Sequence, residues 1–148
     1  MNNLRPITAL MVEDNMDHAD LMLDAFYEFN INNSISHVVD GEKAIAYLRN
    51  NFPYENANKY PRPDIIFLDI KMPRLGGIET LKVIKSDALL KDILVTMIST
   101  SSTAPEIKEC YALGANGYIT KQLDFDEFSN KMKELNHYWV LTAELPIK

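Results

Sequence analysis

Four short apolar runs divide the chain: Ile7 to Val12, Asp64 to Leu68, Ile93 to Ile98 and Gly117 to Thr120. They are too short for helices and nearly continuous in hydrophobicity, the pattern of strands buried on both faces of a parallel sheet. A fifth run, Ser34 to Val39, alternates more and predicts another strand. Between the runs, apolar residues recur at helical steps. Asp17 to Phe29 carries Leu21, Met22, Ala25, Phe26 and Phe29, with Asp17 read as the N-cap. Gly41 to Arg49 carries Ala44, Ile45 and Leu48, and Ile78 to Lys85 carries Leu81 and Ile84. Pro105 to Leu113 has Pro at the expected N1 position behind Ser and Thr caps, and Gly114 stops it. Phe125, Phe128, Met132, Leu135 and Trp139 mark a last helix.

Strand and helix thus alternate five times. Right-handed crossovers turn that order into an open parallel sheet with helices on both faces. The stretch from Asn50 to Pro63, with three prolines and several Asn, predicts a long loop before the third strand. Open sheets of this kind bind ligands beyond the carboxyl ends of their strands. Those ends carry Glu13-Asp14, Asp69, Ser99 and Lys121. In a strand order 2-1-3-4-5 the four strands that bear them are neighbours, so three carboxylates, a hydroxyl and an ammonium converge on one edge. Acids that close repel unless a cation joins them, and hard oxygen ligands near a phosphate favour Mg²⁺. A carboxylate can be the nucleophile that forms an aspartyl phosphate, with cations neutralising the transferring group. Each residue alone has an ordinary reading: a solvated loop acid, a surface lysine, or a serine in the polar turn Ser99-Thr100-Ser101-Ser102-Thr103. Their placement together is the signal.

Composition narrows the picture. A formal net charge of −6 argues against direct nucleic-acid binding, which needs basic patches. No apolar run approaches the ~18 residues of a membrane span, and Met1 to Pro6 shows no signal-peptide pattern, so a cytoplasmic protein with no membrane contact is expected. Cys110 is the only cysteine, which rules out an internal disulfide. Neither Cys110 nor His18, His37 and His137 has ligand spacing, and none is assigned chemistry.

The sequence resembles the receiver domain of two-component response regulators. Leu10-Met11-Val12-Glu13-Asp14-Asn15, Leu68-Asp69-Ile70-Lys71-Met72-Pro73, Ile98-Ser99-Thr100 and Gly117-Tyr118-Ile119-Thr120-Lys121 carry the likeness, over nearly the whole chain. The resemblance implies a flavodoxin-like (βα)5 fold, doubly wound, with a five-stranded parallel sheet in the order 2-1-3-4-5. It implies one domain over 1–148, with a core at about 6–136 and a C-terminal helix extension and tail at 137–148. By the same likeness Asp69 is the phosphoacceptor. Glu13, Asp14, Asp69 and the Lys71 backbone carbonyl hold Mg²⁺. Ser99 is the switch hydroxyl, Tyr118 the switch aromatic and Lys121 the phosphoryl contact. Read without the likeness, Tyr118 is simply a half-buried strand aromatic.

The implied function is phosphorelay signalling. A sensor histidine kinase or a phosphotransfer protein donates the phosphoryl group, and a changed surface then binds a downstream protein target. The only catalysis expected is Mg²⁺-dependent self-phosphorylation and self-dephosphorylation. The long loop at 50–63 and the tail from His137 to Pro146 resemble small regulators paired with phytochrome-type kinases, which implies a homodimer through the last helix and tail. Two departures stand out: Gln122 replaces the usual Pro after the lysine, leaving a cis bond there in doubt, and Gly76 replaces the usual Asp before Gly77. A haloacid-dehalogenase phosphatase would need Asp-x-Asp after the first strand, and Asp69-Ile70-Lys71 lacks the second Asp. A flavodoxin-type cofactor binder would want a phosphate loop where Glu13-Asp14 stands. A receiver that only binds proteins, without phosphorylation, disagrees with the intact acid, serine and lysine set.

Overall fold

The computed structural model describes residues 7–27, 34–121 and 124–137. In chain order the elements are β1 (Thr8–Val12), α1 (Met16–Tyr27), β2 (Ser34–Val38), α2 (Gly41–Leu48), β3 (Ile65–Asp69), α3 (Gly77–Ser86), β4 (Leu94–Ser99), α4 (Ala104–Ala112), β5 (Gly117–Thr120) and α5 (Phe125–His137). All strand pairs are parallel and the sheet order is β2-β1-β3-β4-β5, as the pattern predicts. Gln122, Phe29 and the tail from Tyr138 onward, with Trp139 and Val140, lie outside the described residues.

The near-continuous apolar runs make sense once both sheet faces are covered. Leu10, Val12, Ile66, Leu68, Val95 and Met97 pack on one side with Ala44 and Tyr47 of α2, Leu81 and Ile84 of α3 and Cys110 of α4. Ala9, Met11, Ile65, Phe67 and Ile98 pack on the other with Ala19, Met22 and Phe26 of α1 and Phe128 of α5. Every residue of β3 is buried. A fully buried Leu, Ile or Phe contributes roughly 1.5–3 kcal/mol. This central strand is therefore a firm base for the residue at its end.

Local chemistry refines several sequence expectations. The α1 cap is Asn15 rather than Asp17: Asn15 Oδ1 accepts the His18 N–H at 3.1 Å, while Asp17 sits in the first turn and favours the helix dipole. Asp40 caps α2, its Oδ1 accepting the Lys43 N–H at 2.8 Å. Pro105 takes the second helical position of α4, one later than expected, since Ala104 begins the helix. The loop at 50–63 is held by its own aromatics. Tyr54 and Tyr60 pack on Tyr47 with ring centroids 5.4 and 5.7 Å away, and Asn50, at φ 50, donates to the carbonyls of Tyr54 and Tyr60.

The sheet ladder runs one residue past three strand ends. Glu13 N–H donates to the Val38 carbonyl at 3.1 Å, Ile70 N–H to Ile98 at 3.1 Å and Lys121 N–H to Ser99 at 2.6 Å. Glu13, Asp69, Ser99 and Lys121 are thus fixed by backbone pairing and not by mobile loops. Asp69 and Ser99 are the last strand residues themselves, one position further into the sheet than the apolar runs indicated.

Candidate functional site

Gly77 sets how closely α3 approaches Asp69. A Cβ there would collide with the Asp69 carbonyl oxygen and lie 2.6 Å from Ile70 Cα, so any larger residue would push the helix off the strand end. Gly77 N–H also donates to the Ile70 carbonyl at 2.9 Å. Gly76 caps α3 with no side-chain bond.

The structure brings the sequence-predicted charges together. One carboxyl oxygen from each of Glu13, Asp14 and Asp69 lies within 4.8 Å of the others. Glu13 is fully buried, Asp69 is 5% exposed, Lys121 is 8% exposed and Asp14 is open to solvent. Lys121 Nζ stands 2.6 Å from Glu13 Oε1 and 3.4 Å from Asp69 Oδ1. The first contact lies off the hydrogen-bond direction, so Glu13 Oε1 is paired by charge yet has no directed donor. Glu13 Oε2 accepts the Asn15 N–H at 3.2 Å.

Burial, and then the Glu13 carboxylate beside it, push the Asp69 carboxyl up to about 7 against the pull of Lys121. Burial acts on Glu13 in the same sense. There the Lys121 ammonium and the proton shared from Asp69 outweigh it and hold Glu13 below its ordinary value. Three hard oxygens, one without a directed donor, and a carboxyl that cannot easily ionise make a donor set that fits a divalent cation. Lys71, two residues beyond Asp69, is exposed at the site's rim.

The other half of the site is made of hydroxyls. Ser99 Oγ accepts the Ser101 N–H at 3.0 Å and donates to Glu106 Oε1 at 3.4 Å. Tyr118, half-buried on β5, directs its hydroxyl to the Ser101 carbonyl at 2.7 Å and Glu106 Oε1 at 2.9 Å.

Besides Glu106, two histidines at the site escape the sequence reading. His18 Nδ1 accepts from Lys121 Nζ at 3.0 Å and lies 3.9 Å from Glu13 Oε1. His37 Nε2 lies 2.7 Å from the Glu13 carbonyl oxygen. Neither histidine has ligand spacing. The available clue was position: His18 stands in the first turn of the helix that follows the acidic pair, and His37 lies on the strand beside it.

Residues 9–133 match the family model for the response regulator receiver domain. The chain belongs to that family. It is a receiver of two-component signalling. It is 31% identical to the probable methanogenesis regulatory protein FilR2 of Methanothrix harundinacea over 91% of this chain and 84% of that protein. It is 30% identical to the response regulator Rcp1 of Synechocystis over 95% of this chain and 94% of that protein. The structure of the phosphorylated cyanobacterial phytochrome response regulator RcpA superimposes with a TM-score of 0.90 at 36% identity, over 97% of this chain and all of that one. The Mn²⁺-bound form of Rcp1 superimposes at 0.89 and 30% identity, over 96% of this chain and all of that one. That receiver holds a divalent ion, in keeping with the acid cluster here.

Proposed function

We propose that this receiver is a Mg²⁺-dependent phosphoryl acceptor whose nucleophile is Asp69. The observation that carries the reading is the convergence of Glu13, Asp14 and Asp69 oxygens within 4.8 Å beside Lys121. Glu13, Asp14, Asp69 and the Lys71 carbonyl would hold the ion, which supplies positive charge against the phosphoryl oxygens. Asp69, ionised, attacks phosphorus in line. The P–N bond of a donor phosphohistidine breaks as the new O–P bond forms, and the imidazole leaves with the electron pair. Lys121 exchanges Glu13 for a phosphoryl oxygen. Ser99 turns its hydrogen toward another, and Tyr118 follows the space that Ser99 leaves. The surface of α4, β5 and α5 then shifts between two populations and is read by a downstream protein.

A sensor histidine kinase, or a phosphotransfer protein charged by one, is the donor. The likeness to RcpA, a phytochrome response regulator, supports a phytochrome-type kinase. Catalysis is confined to the protein's own aspartate: it takes the phosphoryl group and helps water remove it. No described helix is long and apolar enough to cross a membrane, and signalling is expected in the cytoplasm.

Incubation with Mg²⁺ and phosphoramidate, read by intact mass, tests the reading. One added phosphoryl group is expected, absent from Asp69→Asn and from a chelator-treated sample. A folded wild-type protein that gains nothing, or an Asp69→Asn variant that gains as much, overturns it.

A further inference from the structure

We propose that Glu106 is a positioning residue for the switch. Its carboxylate latches the Ser99 and Tyr118 hydroxyls in the unphosphorylated protein and must release Ser99 before that hydroxyl can serve the phosphoryl group. The proposal rests on the phosphoryl-acceptor reading for its consequence, though not for the contact itself.

Ser99 and Tyr118 each own one hydroxyl hydrogen. Ser99 Oγ already uses a lone pair to accept the Ser101 N–H at 3.0 Å, and its hydrogen goes to Glu106 Oε1 at 3.4 Å. Tyr118 divides its hydrogen between the Ser101 carbonyl at 2.7 Å and the same Glu106 oxygen at 2.9 Å. A phosphoryl oxygen on Asp69 offers only acceptors. The Ser99 hydrogen, turned toward Glu106 and the neighbouring Tyr118 oxygen, can reach that phosphoryl oxygen only by leaving them, so the acceptors compete. The negative charge of Glu106 opposes the incoming dianion in the same sense.

An ordinary reading exists and the geometry disfavours it. Thr103-x-x-Glu106 fits a capping box, in which the threonine side chain bonds the helix start and the glutamate reaches back to it. Here Thr103 makes no side-chain cap bond, and the Glu106 carboxylate faces the two hydroxyls. Its place in the first turn of α4 lets the helix dipole hold the charge there. Burial, and beyond it the Glu106 carboxylate, push the Tyr118 hydroxyl up to about 12, with Ser99 pulling the other way. That matches a phenol that gives its proton to an anion. Glu106 is only half-buried, so substitution there leaves the core untouched.

The test uses the full chain with Glu106→Ala and Glu106→Gln, each in the wild-type and Ser99→Ala backgrounds. The first arm needs no phosphate: amide exchange at Ser101 and the ¹³C ring shift of Tyr118, both by NMR. At 3.4 Å the Ser99–Glu106 bond is long and weak, so its loss predicts exchange about two- to threefold faster in Glu106→Ala, less in Glu106→Gln, and a moved Tyr118 signal. Signals unchanged in both variants overturn the latch. The second arm is the rate of phosphoryl uptake from phosphoramidate. Glu106→Ala is expected to raise it by the same factor, and the gain is expected to vanish in the Ser99→Ala background. Uptake unchanged in Glu106→Ala, or raised equally without Ser99, overturns the regulatory role. If the wild-type protein takes up no phosphate, the phosphoryl-acceptor reading has failed, and the first arm alone still decides the contact.

Discussion

The site has two halves that work in opposite ways. In one half, Glu13 and Asp69 at the ends of β1 and β3, with the Lys121 side chain reaching across from the end of β5, crowd charges into almost complete burial. On the β4–β5 side, Ser99, Tyr118 and Glu106 exchange hydrogen bonds between a strand end, a half-buried ring and the first turn of a helix. The first half is electrostatically loaded and geometrically rigid. Its charges are close enough to shift Asp69 to about 7, and a bound cation would relieve that load. The second half carries a single charge, on half-buried Glu106, and its hydrogen bonds can be traded one for another at small cost. The proposed phosphoswitch would need both: a stiff place where charge changes, and a soft place that moves in response.

The two halves are expected to respond unequally to mutation. Lys121→Met has the largest expected effect. It leaves the fully buried Glu13 without its counter-charge, and breaking such a pair costs about 3–5 kcal/mol. Urea unfolding of the metal-free protein measures the loss, and added Mg²⁺ is expected to restore part of it. A loss under 1 kcal/mol would mean that the acids relax apart and the loaded half is less rigid than it looks.

Next comes pH. Asp69 is held at about 7 in the folded protein against an ordinary 3.8, so the folded state keeps a proton that the unfolded chain has given up. The stability this proton brings is complete below 3.8 and is lost as pH climbs toward 7, by up to about 1.4 kcal/mol per unit. Glu13 has the opposite sign, since its value is lowered and its contribution fades as pH falls. The Asp69 trend therefore shows above the ordinary carboxylate range. In chelator, the melting temperature is expected to fall between pH 5 and pH 8. In saturating Mg²⁺ the fall is expected to be smaller, and the gain from metal larger at pH 8 than at pH 6. A flat profile in chelator would remove the electrostatic contrast between the halves.

The smallest effect belongs to the soft half. Tyr118→Phe deletes one hydroxyl from a half-buried ring, and the expected loss is about 0.5–1.5 kcal/mol. Calorimetry checks it. A cost equal to that of Lys121→Met would mean that the hydroxyls are as tightly bound into the core as the acids.

Most of the frame was readable along the chain. Continuous apolar runs marked strands covered on both faces, because the sheet buries Leu10 and Val12 one way and Ala9 and Met11 the other. Polar residues that stop such runs lie at strand ends, so Glu13, Asp69, Ser99 and Lys121 could be placed on one edge before any coordinates. Element edges were read less well. Asp17 and Asn15 are both good caps, and the choice depended on which side chain could turn back to a free N–H.

What the sequence alone determined, then, was the βα alternation and the chemical inventory of one sheet edge, since both follow from local periodicity and from the parallel topology it forces. The partners of that inventory came only with the tertiary structure. His18 meets Lys121 across 103 positions of chain, and Glu106 meets Tyr118 across a helix and a turn. The raised carboxyl of Asp69 is likewise a property of the packed site. Burial and a neighbouring charge act through space, over distances that spacing along the chain does not encode.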